Sequence, residues 1–143
     1  MPVTDEQEAA LHAMLAGKLQ EHERKLDALD PVAARTGYSA LVSAAFTIAA
    51  GTRFPEGTAA SEIIEYVGEV RSRGEGVTID PRIAERVLSA INSDEEIDDI
   101  DAQVIFQTQL VLLAALIADA RLDDAGLDVF LRRARKRADS WLA

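Results

Sequence analysis

The stretch Leu110-Val-Leu-Leu-Ala-Ala-Leu-Ile-Ala118 decides the fold of this chain. It holds nine consecutive apolar residues, far fewer than the ~20 that a membrane-spanning helix needs. Apolar positions at helical spacing extend it into a helix over 102–120, and a helix that is apolar all round is expected to be buried by neighbours on every side. A second apolar segment, 38–50, covers most of a helical circumference in the same way. We therefore expect these two helices at the centre of an all-α fold.

The composition of the chain predicts a helical protein without a cofactor. A length of 143 residues fits one domain, 1–143, that can bury a core of its own. Aromatic residues make up only 5% of the chain, which disfavours a β-sandwich with an aromatic core. No cysteine is present, and this excludes disulfides, thiolate metal sites and cysteine nucleophiles. We expect no cofactor and no bound metal.

Capping signals divide the chain into helices. Thr4 and Gln7 form a capping box that begins a long first helix. Asp80 followed by Pro81 begins one later helix, and Asp123 or Asp124 begins the last one. The predicted fold is an all-α, compact bundle of about six helices, over 5–29, 38–50 (ending at Gly51), about 58–73, 81–92, 93–120 with a break near Asp101, and 124–141.

The long first helix, 5–29, carries an apolar seam with the spacing of a heptad repeat. The seam consists of Leu15, Leu19, His22, Leu26 and Leu29. At 1.5 Å per residue this helix is about 37 Å long, so it either caps the bundle or pairs with a second copy of the chain. We predict a homodimer with the seam in its interface. A histidine at a seam position predicts a dimer that weakens when His22 is protonated at low pH.

A weak internal repeat relates two parts of the chain. With a shift of 68 positions, Tyr38, Val42 and Ala45 align with Phe106, Leu110 and Leu113. The repeat predicts two related helical hairpins, 38–72 and 106–138. The alternative is that two amphipathic hairpins align by their shared periodicity alone.

The net charge of −10 and the sequence pI near 4.6 bear on possible partners. An acidic protein repels nucleic acids and anionic membranes at long range, so we predict no nucleic-acid partner and no membrane partner. The acidic N-terminal residues lack the basic and then apolar pattern of a signal peptide. These features predict a cytoplasmic protein.

Charge is concentrated in two short runs. Six acidic residues lie within 94–101, and five basic residues lie within 132–137. The acidic run is either a site for a cation or a basic partner, or the dipole-favoured start of a helix. The basic run either binds nucleic acid, suits the last turns of a helix, or pairs with the acidic run.

One constellation is a candidate ligand site. Four arginines flank the turn at 74–76, with a tyrosine nearby, and could converge on an anion: Arg71, Arg73, Arg82, Arg86 and Tyr66. The sequence holds no Walker loop, no dinucleotide-binding glycine motif and no Gly-x-Ser-x-Gly elbow. We therefore predict a non-enzymatic interaction or regulatory protein that is a homodimer. The alternative is a module that binds a small anion.

Overall fold

The structure is a computed structural model that describes residues 2–73, 78–93 and 95–143. Over these residues it is all-helical, with seven α-helices and no strand, which confirms the predicted fold class. The helices are α1 (Asp5–Leu15), α2 (Leu19–Asp27), α3 (Pro31–Arg53), α4 (Ala60–Arg71), α5 (Pro81–Ser89), α6 (Ala102–Ala120) and α7 (Asp124–Leu142). The structure has one helix more than predicted, because the predicted first helix forms two separate helices, α1 and α2.

The helix is interrupted between α1 and α2, so the prediction of one continuous helix over 5–29 is wrong. Gly17 has φ +80°, a left-handed conformation that favours glycine and ends helices. Its N–H donates to Met14 O at 3.1 Å, and the N–H of Lys18 donates to Ala13 O at 2.9 Å. These two bonds satisfy the last carbonyls of α1. The heptad spacing continues across this break, although the helix does not.

The predicted N-terminal caps of three helices are confirmed. Gln7 N donates to the Thr4 hydroxyl at 3.1 Å, and the Gln7 amide oxygen accepts from Thr4 N, which completes the capping box of α1. Asp80 accepts from two backbone N–H groups at the start of α5. Asp123 accepts from Gly126 N at the start of α7. Short polar side chains therefore mark these helix starts directly in the sequence.

Three other predicted boundaries are wrong. The second predicted helix begins at Pro31 rather than at Tyr38, since proline is accommodated at the first position of a helix. Gly51 does not end the second predicted helix, because α3 continues to Arg53. Residues 95–101 lie before α6 rather than in its first turn. Asp101 accepts from the backbone N–H groups of Gln103 and Val104, so it caps α6 itself. The described acidic residues that precede it belong to a loop.

The chain divides into two units. Unit 1 comprises Met1–Ala45 and Ile117–Ala143, and unit 2 comprises Phe46–Leu116. Both boundaries fall inside helices, within α3 and α6.

Unit 2 has an apolar core from α3, α4, α5 and α6. The rings of Phe54 and Tyr66 pack edge to face with centroids 5.3 Å apart, an arrangement that aromatic pairs prefer. Asn92 donates to Phe54 O at 2.6 Å and so ties the end of α5 to the end of α3. The buried residues of this core are Phe46, Ala50, Phe54, Ile63, Tyr66, Val67, Val70, Ile79, Ala84, Val87, Leu88, Leu112 and Leu116.

In unit 1, α1 lies close to the start of α3. Gln7 is buried, and its amide donates to Ala33 O at 3.4 Å. A Cβ atom built on Gly37 would lie 2.8 Å from Gln7 Nε2, so the glycine makes room for the capping side chain of α1. Burial raises the pKa of Tyr38, the next residue, to about 12.

Helix α6 is partly or fully buried along its middle, where no residue of 110–117 is exposed, and it is exposed at both ends, at 102–104 and 118–120. Leu112, Leu113 and Leu116 are buried, whereas Ala118 is exposed and Val104 is 39% exposed. Within the described residues α6 is also the one helix long and apolar enough to cross a membrane. That test uses length and composition alone, and the core helix of a soluble protein also satisfies it.

Candidate functional site

Arg86 on α5 is the centre of a polar cluster in unit 2. Its guanidinium donates to Glu95 Oε1 at 2.8 Å, to both carboxylate oxygens of Asp99 at 3.0 and 2.8 Å, and to Glu96 O at 2.7 Å. The bonds to Asp99 and then to Glu95 raise the pKa of Arg86 above its usual value. The same bond from Arg86 lowers the pKa of Asp99. This bidentate geometry is the strongest that an arginine makes with a carboxylate.

This cluster gives the described part of the acidic run a structural role. Glu95 and Asp99 hold the loop before α6 against α5 through Arg86. Pairing of the acidic run with the basic run at 132–137 stays a prediction. Asp94, which belongs to the predicted run, lies outside those residues.

The predicted anion site is brought together only in part. Tyr66 is buried, and the guanidinium carbons of Arg53 and Arg73 lie 5.2 and 5.8 Å from its ring centroid. These are cation–π contacts. Arg86 donates to carboxylates instead of facing a ligand. Arg71 and Arg82 are exposed, and the turn at 74–76 lies outside the described residues.

Arg135 on α7 is the centre of a second polar cluster, in unit 1. It donates to Asp5 Oδ1 at 2.7 Å, to Glu8 Oε2 at 2.8 Å and to Val3 O at 2.8 Å. The bonds to Asp5 and then to Glu8 raise its pKa. One member of the basic run therefore clamps the N-terminus of α1 to α7. The sequence did not identify this clamp, because its partners lie about 130 positions away.

Two more contacts fasten α1 to α7 in unit 1. Val3 N donates to Asp139 Oδ1 at 2.7 Å. His12 Nε2 lies 3.3 Å from Asp128 Oδ1. Together with Arg135, these carboxylates form one face of α7, because positions seven and four apart share a face. Helix α1 is thus held along its length by charged groups.

An open groove of about 590 Å³ is lined by residues of α1, α2 and α7 and by Lys18. The lining contains two alanines and charges of both signs: Asp5, Glu8, Ala9, His12, Ala13, Lys18, Glu21, Lys25, Asp128, Leu131 and Arg132. Several of these charges already pair with each other, as in Lys25 with Glu21 at 3.7 Å. Among the described residues no three His, Asp or Glu side chains are grouped so as to hold a metal ion.

The seam predicted for a dimer is divided by the break at Gly17. Leu15 is on α1 and half-buried, and Leu29 follows α2 and is also half-buried. His22 lies on α2, and its Nδ1 is 2.9 Å from Ala10 O on α1. Leu19 and Leu26 remain exposed at one edge of α2, by 64% and 38%. No residue of α2 is buried.

The outward face of α7 combines apolar and cationic groups. Val129 and Trp141 are exposed by 52% and 51%. The exposed cations of the same helix are Arg132, Arg133, Lys136 and Arg137, and none of the four forms an ion pair among the described residues. The outward side of α7 therefore differs from its inward side, where Arg135 is fully engaged.

Comparisons of the chain with protein-family models, with curated proteins and with solved structures found no match. The function must therefore be argued from the surfaces and clusters described above.

Proposed function

We propose that this protein is a non-enzymatic interaction protein that acts as a homodimer through α2. The observation that carries this function is that α2 has no buried residue although it is amphipathic. Isolated helices shorter than about 12–15 residues are marginal in water, and α2 has nine. Such a helix depends on tertiary contacts, and in this proposal a second protein surface on Leu19 and Leu26 adds to the contacts that α1 supplies.

The covering surface is a second copy of this chain. The apolar edge of α2 is accompanied by acidic side chains, whereas the outward face of α7 is apolar and basic. One unit thus exposes two apolar surfaces of opposite charge. Charge complementarity of this kind steers association and fixes orientation.

The clusters around Arg86 and Arg135 support a structural role, rather than a catalytic one, for the charged groups within them. Arg86 and Arg135 each bind two carboxylates and a backbone carbonyl. These bonds fasten a loop to α5 and the N-terminus to α7. Glu95 and Asp99 of the acidic run and Arg135 of the basic run thereby act as structural ties, and the exposed helix faces are left for recognition.

We place this homodimer in the cytoplasm as a water-soluble protein. The net charge of −10 favours solubility and opposes binding to anionic membranes and nucleic acids. The buried face of α6, with Leu112, Leu113 and Leu116, supports a place for this helix in a protein core.

The alternative is an anion-binding module around Tyr66, Arg71, Arg73 and Arg82. It has less support, because Arg86 is committed to Glu95 and Asp99. A thermal-shift screen with phosphorylated metabolites tests it. A rise in Tm that Arg82→Ala removes would favour this module over a pure interaction protein.

Sedimentation velocity at about 50 μM tests the homodimer, because self-association depends on concentration. We expect the wild-type protein to sediment as a dimer and the double variant Leu19→Ser/Leu26→Ser to sediment as a monomer. Ile64→Ser is the matched control, since Ile64 is also an exposed apolar residue (54%) but lies on α4; it should remain dimeric. Retained helical circular dichroism shows that each variant is folded. A wild-type monomer at this concentration would refute the homodimer.

A further inference from the structure

One edge of α2 is apolar and acidic. We call Leu19, Glu23, Leu26 and Asp27 the acidic edge. At 100° per residue they fall within an arc of about 100° and extend about 12 Å along the helix. All four are exposed, and neither carboxylate forms an ion pair among the described residues. The opposite side of α2 carries Lys25, which pairs with Glu21 at 3.7 Å.

The outward side of α7 also combines exposed apolar and charged residues, but its charges are positive. We call it the basic face, and it consists of Val129, Arg132, Arg133, Lys136, Arg137 and Trp141. These residues cover about half of the circumference of α7 and extend about 18 Å along it. None of the four cations forms an ion pair among the described residues, so an acidic surface would complement them and cover Val129 and Trp141.

We propose that in the homodimer the acidic edge of each copy docks on the basic face of the other. This inference rests on the proposed homodimer and names its second surface. A two-fold axis makes the two contacts equivalent, so each copy contributes both an edge and a face. The reciprocal arrangement also doubles the buried area, which a helix of nine residues cannot supply by one contact.

A contact between two acidic edges, or between two basic faces, is disfavoured by charge repulsion. Pairing two copies of α2 through their edges would oppose Glu23 and Asp27 to the same two carboxylates. Pairing two basic faces would oppose four cations to four cations. Like charges in apposition weaken an interface, whereas the edge-to-face contact brings opposite charges together on both sides of the dimer.

Charge reversal on one surface at a time tests this contact. The α2 reversal is Glu23→Lys/Asp27→Lys, and the α7 reversal is Arg133→Glu/Arg137→Glu. We expect each reversal alone to weaken dimerisation by about tenfold or more at low salt, because both contacts then oppose like charges. Glu62→Lys/Glu65→Lys on α4 makes the same charge change at exposed positions of unit 2 and should leave the dimer Kd unchanged.

Mixing the two reversals gives a sharper result. In a heterodimer of one α2 reversal and one α7 reversal, the lysines of the first meet the glutamates of the second, and the other contact keeps its natural charges. We expect an equimolar mixture to recover dimerisation close to that of the wild type in sedimentation equilibrium. Recovery by mixing cannot come from two variants that simply fail to fold.

Other results would overturn the edge-to-face contact. A wild-type dimer whose Kd is unchanged by the α7 reversal would leave the homodimer standing but remove the basic face from it. A wild-type monomer would refute the homodimer itself. Binding of the wild type, but not of the α7 reversal, to phosphatidylserine vesicles or to a DNA duplex at physiological salt, with dimerisation unaffected, would assign the basic face to a polyanion instead.

Discussion

Helices α2 and α5 have the same length and opposite environments. Each has nine residues and each is amphipathic. Helix α5 buries Ala84, Val87 and Leu88 against α4 and the core of unit 2, whereas no residue of α2 is fully buried. Helix α5 also has a side-chain cap and is tied to a neighbouring loop through Arg86, while α2 has no side-chain cap at its N-terminus.

The difference shows that an amphipathic pattern predicts a contact without saying which molecule supplies it. The apolar stripe of α5 is covered by the same chain, so its pattern is explained within the fold. Leu19 and Leu26 on α2 follow an equally regular pattern and remain exposed. An uncovered pattern of this kind is typical of a surface for a partner.

The largest expected difference between α2 and α5 is in how much a leucine substitution lowers the free energy of unfolding. Leu88→Ala in α5 should lower the free energy of unfolding by about 2–5 kcal/mol, since it removes a buried side chain and leaves a cavity. Leu26→Ala in α2 should change it by no more than about 0.5 kcal/mol, because the side chain contributes little to the core. Urea unfolding at about 1 μM measures both in the monomer. Equal costs would show that α2 is as integral to the fold as α5.

A smaller difference in the free energy of unfolding is expected for substitutions at the N-termini of these two helices. Asp80→Ala should destabilise the protein by about 1 kcal/mol, because the Asp80 carboxylate accepts from Arg82 N and Ile83 N. Lys18→Ala at the start of α2 should have almost no effect, since Lys18 makes no capping hydrogen bond. The same urea titration checks both variants. A cost at Lys18 comparable with that at Asp80 would contradict the weak attachment of α2.

Local chemistry in the sequence predicts most of the helices. The side chains of Thr4, Asp80 and Asp123 act within three residues of their own position, so the helix starts could be read directly. The break at Gly17 was missed because a heptad pattern averages over many residues, whereas one glycine with a positive φ ends the helix. Gly51 shows the converse, since glycine inside a helix does not oblige it to end.

The clusters and surfaces were less predictable than the helices. Arg86 was predicted to bind an anion, and it does bind carboxylates, but those of Glu95 and Asp99 in its own chain. Arg135 stood in the predicted basic run, yet its partners Asp5 and Glu8 lie at the other end of the sequence. The sequence shows which charges exist, and only the fold shows which of them meet. Leu19 and Leu26 of the predicted seam are exposed, and whether a second copy covers them stays a prediction.

Hydrogen exchange at two protein concentrations tests the role of α2 most directly, because it reports on each helix separately. Between about 1 and 100 μM we expect the amides of α2 to become more protected as dimers form, while those of α5 exchange at the same rate throughout. Protection of α2 that does not change with concentration would mean that its exposed edge is not covered by a second copy.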